Sequence, residues 1–117
     1  MTAATWIYRI AGLYGLLVLI PGLFTEARFS LESPPAVTHP EFYYGFFGSA
    51  LVWQLLFLLI STDPRRFRVL MPITIAEKLA FFLPCLWLWS AGRMAAGDLF
   101  TGALIDGLLA LLFAFAW

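Results

Sequence analysis

Charge is scarce in this chain. Seven acidic and seven basic side chains are spread over 117 residues, 12% of the total, and the formal net charge is zero. A soluble domain of this size needs a charged shell over most of its surface, and so few charges cannot supply one. A neutral balance with a single short basic cluster gives no footprint for nucleic acid, so no nucleic-acid partner is expected. Cysteine is down to Cys85, inside an apolar run. That excludes a disulfide framework and any cysteine-based metal spacing, and Cys85 reads as a small buried hydrophobe. There is no Walker loop, dinucleotide fingerprint or zincin motif, so the commonest soluble nucleotide and zinc chemistries drop out. No metal and no cofactor are expected. Internal repeats and low-complexity tails are missing too. No run alternates apolar and polar residues, which excludes a membrane β-barrel.

Apolar residues are what the chain has in abundance: 62% of it, with a mean hydropathy of +0.90. They gather in four runs, about 5–24, 41–61, 69–91 and 99–117. Each is about 19–23 residues long, and about 20 are needed to cross a hydrocarbon core. Backbone groups in lipid must bond within their own segment, so the runs are read as helices. The expected fold is all-α: a single-domain, polytopic membrane protein built as a four-transmembrane-helix bundle. The first run carries Arg9 and resembles a signal sequence, but Thr25-Glu26-Ala27-Arg28 is a poor cleavage site, so a retained helix is expected. The connection from Thr25 to Pro40 holds Pro34, Pro35 and Pro40 and does not simply continue a helix. The next, Thr62 to Arg68, holds Arg65, Arg66 and Arg68, which mark a cytoplasmic loop. Both termini are then cytoplasmic and the long first connection is outside. The expected location is the inner or plasma membrane of a bacterium, or the endoplasmic reticulum of a eukaryote. Glu41 and Asp98 read as acids at the positive ends of their helices.

The charged residues Arg9, Glu77, Lys78 and Asp106 fall inside the apolar runs, and Gln54 joins them as an uncharged polar residue. Counted from the cytoplasmic end at the helical rise, Arg9 lies roughly 6 Å deep, Gln54 and Glu77 about 11–12 Å, Lys78 about 13–14 Å and Asp106 about 16 Å. A charge at such depth is costly without a partner. Matching depths pair Lys78 with Asp106, and Glu77 with Gln54 and Arg9. Adjacent helix residues diverge by about 100°, so Glu77 and Lys78 are expected to be poor partners for each other. Such a layer can simply fix helix register, or it can line a cavity that binds or protonates something. Trp53 is a core residue or a cavity wall beside Gln54. Small residues four apart, Ala11 and Gly15, Gly45 and Ser49, Ala103 and Gly107, mark faces for close helix packing, within the chain or in a homodimer. Asp106 shares a small-residue face with Gly102 and Ala110. Pro21 and Pro84, late in their helices, are expected to kink them and open space above the polar layer.

Three of the runs also resemble a known family. Gly12-Leu13-Tyr14 through Ile20-Pro21-Gly22-Leu23-Phe24-Thr25-Glu26 is similar to the first helix of EXPERA-domain proteins, the emopamil-binding and sigma-2-receptor-like membrane family. Pro40-Glu41-Phe42 through Leu51-Val52-Trp53-Gln54-Leu55 to Ile60 resembles their second helix. The third run matches in layout, with Arg68 before it and Pro84 late in it. The resemblance implies a four-helix membrane bundle with an occluded sterol-accepting cavity lined by acids, and puts Glu26 in the place of a pocket acid. Ala50 stands where that family has an acid on its second helix, and the family pattern has no counterpart to Lys78. Sterol isomerisation needs a placed proton donor and carbocation stabilisation, so the missing acid favours binding over catalysis.

The sequence thus points to a membrane protein that binds a hydrophobic small molecule, such as a sterol-like lipid, isoprenoid or quinone, in a polar-lined intramembrane cavity. The candidate ligand-binding residues are Arg9, Glu26, Trp53, Gln54, Glu77, Lys78 and Asp106. Three alternatives stand beside it: an isomerase using Glu77 or Asp106 as acid and base, an accessory subunit with a purely structural polar network, and a dimeric small-solute transporter. The expected partners are membrane lipids or a hydrophobic ligand.

Overall fold

A computed structural model describes residues 2–117. All regular structure among them is helical. Four helices are long and apolar enough to cross a membrane. They are α1 (Ala3–Gly22), α3 (Pro40–Thr62), α4 (Met71–Ser90) and α5 (Asp98–Ala116), with a short α2 (Glu26–Glu32) between the first two and a 3-10 turn, Arg68–Leu70, before α4. Leu, Ala and Phe carry these helices with little polar interruption, so hydropathy and length alone fix their positions. Pro40 opens α3 with Glu41 in its first turn, and Asp98 lies in the first turn of α5. Each acid lies where unsatisfied N–H groups gather.

Short α2 is a finding the sequence reading did not contain. Pro34 and Pro35 follow it, so it cannot extend far. Exposed Arg28 donates from Nε to Glu32 Oε1 at 2.8 Å, one turn away, and that pair raises the Arg28 pKa above its ordinary value. Pro84 lies within α4, and the helix continues beyond it to Ser90. The end of α4 is closed by Gly92, whose φ of 73° is the left-handed conformation that favours glycine. Arg93 N–H then reaches Leu88 O at 2.8 Å and Gly92 N–H reaches Trp89 O at 3.1 Å. This double closure caps two carbonyls that the helix would otherwise leave open.

The chain divides into two compact units, Tyr8–Leu59 and Met1–Ile7 with Ile60–Trp117. In Tyr8–Leu59, α1 and α3 pack through glycine. A Cβ built at Gly15 would overlap the Gln54 carboxamide, and one at Gly22 would overlap the Phe47 ring. A Cβ at Gly12 would come within 2.8 Å of Leu58. Glycine lets the two backbones approach closely. Tyr43 hydroxyl donates to Gly22 O at 2.6 Å and is buried. Tyr8 meets Phe57 edge-on with ring centroids 6.2 Å apart, and both rings are fully buried. In the other unit, α4 packs on α5. A Cβ at Gly107 would stand 2.8 Å from the Phe82 ring, and Ala103, Ala110 and Phe113 are buried along α5. Gly45 differs: a Cβ there meets nothing within 4 Å. Two of the three small-residue faces thus close helix contacts within the chain, and the face of Gly45 and Ser49 is open.

Candidate functional site

Buried polar groups are few, so each needs an account of its partners. Lys78 lies on α4 with only 5% of its surface exposed. Its Nζ donates to Asp106 Oδ1 on α5 at 3.3 Å. This is the pairing that similar depth predicts. Asp106 keeps 21% side-chain exposure and Glu77 19%. Glu77 does not behave as expected. Its Oε2 lies 3.7 Å from Lys78 Nζ, so the two neighbours interact after all. The 100° divergence concerns the Cβ directions, and lysine's four-carbon stem is long enough to swing its ammonium back across it. The ammonium therefore stands between two carboxylates, nearer to Asp106.

The two acids are not equivalent. Asp106 accepts a hydrogen bond from Lys78. Glu77 Oε2 is buried and has no hydrogen-bond partner. Its gap to the ammonium is too long for such a bond. An unmet buried acceptor carries a desolvation cost that a donor from outside the chain would remove. Close by, Thr74 is fully buried, and its hydroxyl donates to Met71 O at 2.7 Å within α4.

A groove of about 480 Å³ runs between α4 and α5, lined by residues including Ile75, Leu79, Phe82, Leu104, Leu111 and Ala114. Its volume falls in the range of small-molecule sites, about 300–1,000 Å³. Ile75, Leu79 and Phe82 recur at the spacing of one helical face. Glu77 lies about 200° around α4 from Ile75, on the opposite side. Neither it, Lys78 nor Asp106 is among the lining residues. Groove and ionic cluster are thus separate features of the same unit.

The remaining predicted site residues, Arg9, Glu26, Trp53 and Gln54, belong to Tyr8–Leu59. Gln54 is 2% exposed. Its Nε2 donates to Ala50 O at 2.8 Å, and its Oε1 has no hydrogen-bond partner. That oxygen faces the Gly15 backbone, where only glycine leaves it room. Glu26, at the start of α2, accepts from the Tyr44 hydroxyl through Oε2 at 2.8 Å in an exposed setting. Arg9 and Trp53 are half-buried. Among the described residues no group of His, Cys, Asp or Glu is placed to hold a metal ion. The sequence reading missed the Arg68 contact with Trp117, where Nε donates to the main-chain oxygen at 2.9 Å; topology puts the two residues at the same end of their helices, but residue spacing does not fix the contact. Comparison with family models, curated proteins and solved structures finds no match for this chain.

Proposed function

We propose that this chain is a multi-pass integral membrane protein that crosses the bilayer four times and binds a hydrophobic small molecule bearing a hydrogen-bond donor. A sterol-like lipid, an isoprenoid alcohol or a quinol fits that description. Hydropathy supports the four spans, and the arginine-rich turn before α4 supports cytoplasmic termini. The observation behind the ligand is Glu77 Oε2, a buried acceptor without a hydrogen-bond partner beside a Lys78–Asp106 pair. A ligand hydroxyl would complete it, while the surrounding apolar helices would hold the ligand's body.

The isomerase reading is weaker. It needs one group to give a proton and another to stabilise positive charge, and Asp106 is engaged with Lys78. A purely structural reading suits that pair better, because a buried ion pair can fix how two helices meet. The cluster therefore divides into a structural pair and a binding acid. Glu77→Gln tests this: it keeps shape and removes the carboxylate. The purified variant should fold with near-normal stability and lose the hydrophobic compound that accompanies the parent protein, as read by mass spectrometry of the extract. An unchanged extract from a destabilised variant would leave only the structural reading.

A further inference from the structure

The turn that leads into α4 carries three arginines and one acid. Arg65, Arg66 and Arg68 are all exposed. Asp63 is tied into the turn, its Oδ1 accepting from the Arg66 backbone N–H at 3.2 Å. Three positive charges and one negative leave a formal +2 on this segment. Arg66 guanidinium lies 5.4 Å from the Phe67 ring centroid. Arg68 Nε bonds to the Trp117 main-chain oxygen at 2.9 Å, which places the end of α5 against this basic turn. Trp117 itself is 54% exposed and Val69 79%. The end of the α4–α5 hairpin is therefore basic, and apolar side chains surround the charge.

The apolar groove begins close to that end. Ile75 lies seven residues after Arg68, a rise of about 10 Å along α4. Ala114 lies in the last turn of α5, beside the arginine clip. From there the groove passes Leu79 and Leu111 toward Phe82 and Leu104. Charge and oil thus follow one another along the hairpin in the order of a phospholipid's headgroup and acyl chain. We infer that this end of the hairpin binds an anionic phospholipid, with its phosphate on the arginines and one acyl chain in the groove. Guanidinium groups suit phosphate because their N–H groups fork around its oxygens. Basic residues at the cytoplasmic surface, next to transmembrane helices, meet the leaflet in which anionic lipids gather. The inference rests on the four-span part of the proposed function and not on the Glu77 ligand, since Glu77 lies on the side of α4 opposite Ile75.

The test uses the full chain in a mild nonionic detergent, titrated with phosphatidylglycerol, phosphatidylcholine or inorganic phosphate. The readouts are retained lipid by native mass spectrometry and the shift in melting temperature. Phosphatidylglycerol should bind at least tenfold more tightly than phosphatidylcholine, and millimolar inorganic phosphate should not displace it. Arg65→Gln with Arg66→Gln, which leaves the Arg68 clip in place, should weaken phosphatidylglycerol about fivefold for each arginine removed. Ala114→Trp narrows the groove without changing charge, and should weaken long-chain more than short-chain phosphatidylglycerol. Equal binding of the two lipids, or no loss in the double arginine variant, would overturn the inference. So would displacement by inorganic phosphate, which indicates a simple anion site. Glu77→Gln should leave phosphatidylglycerol binding intact, so the two ligands fail separately. A chain that does not float with phosphatidylcholine vesicles would remove the four-span reading itself.

Discussion

Replacing Lys78 by methionine should be the most damaging single change in the α4–α5 pair. The side chain is buried and stands 3.3 Å from Asp106 Oδ1 and 3.7 Å from Glu77 Oε2. At an effective dielectric of about 20, each contact corresponds to roughly 4–5 kcal/mol of Coulomb attraction. Desolvation of the ions offsets most of that gain in the intact protein. Methionine fills similar space but leaves two carboxylates with no cation between them. Stranding buried charge typically costs about 3–5 kcal/mol, which converts to a fall of about 10–20 °C in melting temperature at about 4 °C per kcal/mol. The ranking is more diagnostic than the size. Asp106→Asn should cost less, because Glu77 remains beside the ammonium as a second counterion. Glu77→Gln should cost least, because the Lys78–Asp106 hydrogen bond survives. Lys78→Met combined with Asp106→Asn should recover about 1–3 kcal/mol relative to the sum of the single changes. The assay is thermal unfolding of purified protein in one detergent, for the three single variants and the double. Strictly additive losses, or a Glu77→Gln loss equal to that of Lys78→Met, would refute the shared-ammonium geometry.

Gly15→Ala should destabilise Tyr8–Leu59 by about 1–3 kcal/mol, since its new Cβ overlaps Gln54; adding Gln54→Ala should restore much of the loss in the same melting assay. Gly45→Ala should leave the melting temperature within about 2 °C of the parent, because its Cβ meets nothing within 4 Å. A large loss there would mean that a second copy covers the face. With Cys85 replaced by Ala, a cysteine at Ser33 should react with an impermeant thiol reagent in intact cells, and one at Thr62 should not.

Much of the helical layout was legible because lipid-crossing length and hydropathy are one-dimensional properties of a sequence. The Lys78–Asp106 contact was legible for a related reason: depth along a helix follows from counting residues. Side-chain reach does not. The return of the Lys78 ammonium to Glu77 depends on torsions of a long stem, and residue spacing does not fix them. Helix α2 was hidden because seven residues are too few to show a hydrophobic period, although Pro34 and Pro35 did mark where it had to stop. The small-residue pairs showed which faces permit close approach. Whether something approaches depends on the partner surface, which is why Gly15 meets Gln54 while Gly45 faces open space. The groove was invisible for the same reason, being a property of two helices together.

On the proposed four-span reading, the Lys78–Asp106 pair also bears on how the chain enters a bilayer during synthesis. Helix α4 presents Glu77 and Lys78 near its middle, and a central charge penalises insertion of a lone segment by about 2.5–3.5 kcal/mol on translocon scales. Its ammonium finds Asp106 only after a further 28 residues have been made. Aspartate 106 carries the matching penalty in α5. Each helix thus holds what the other needs to become soluble in lipid. The hairpin, rather than either helix, is then the natural insertion unit, and α4 should linger at the edge of the translocation channel until α5 emerges. A ribosome-stalled chain that brings α4 but not α5 out of the exit tunnel should accordingly crosslink through α4 to the channel, whereas one that also exposes α5 should lose that crosslink.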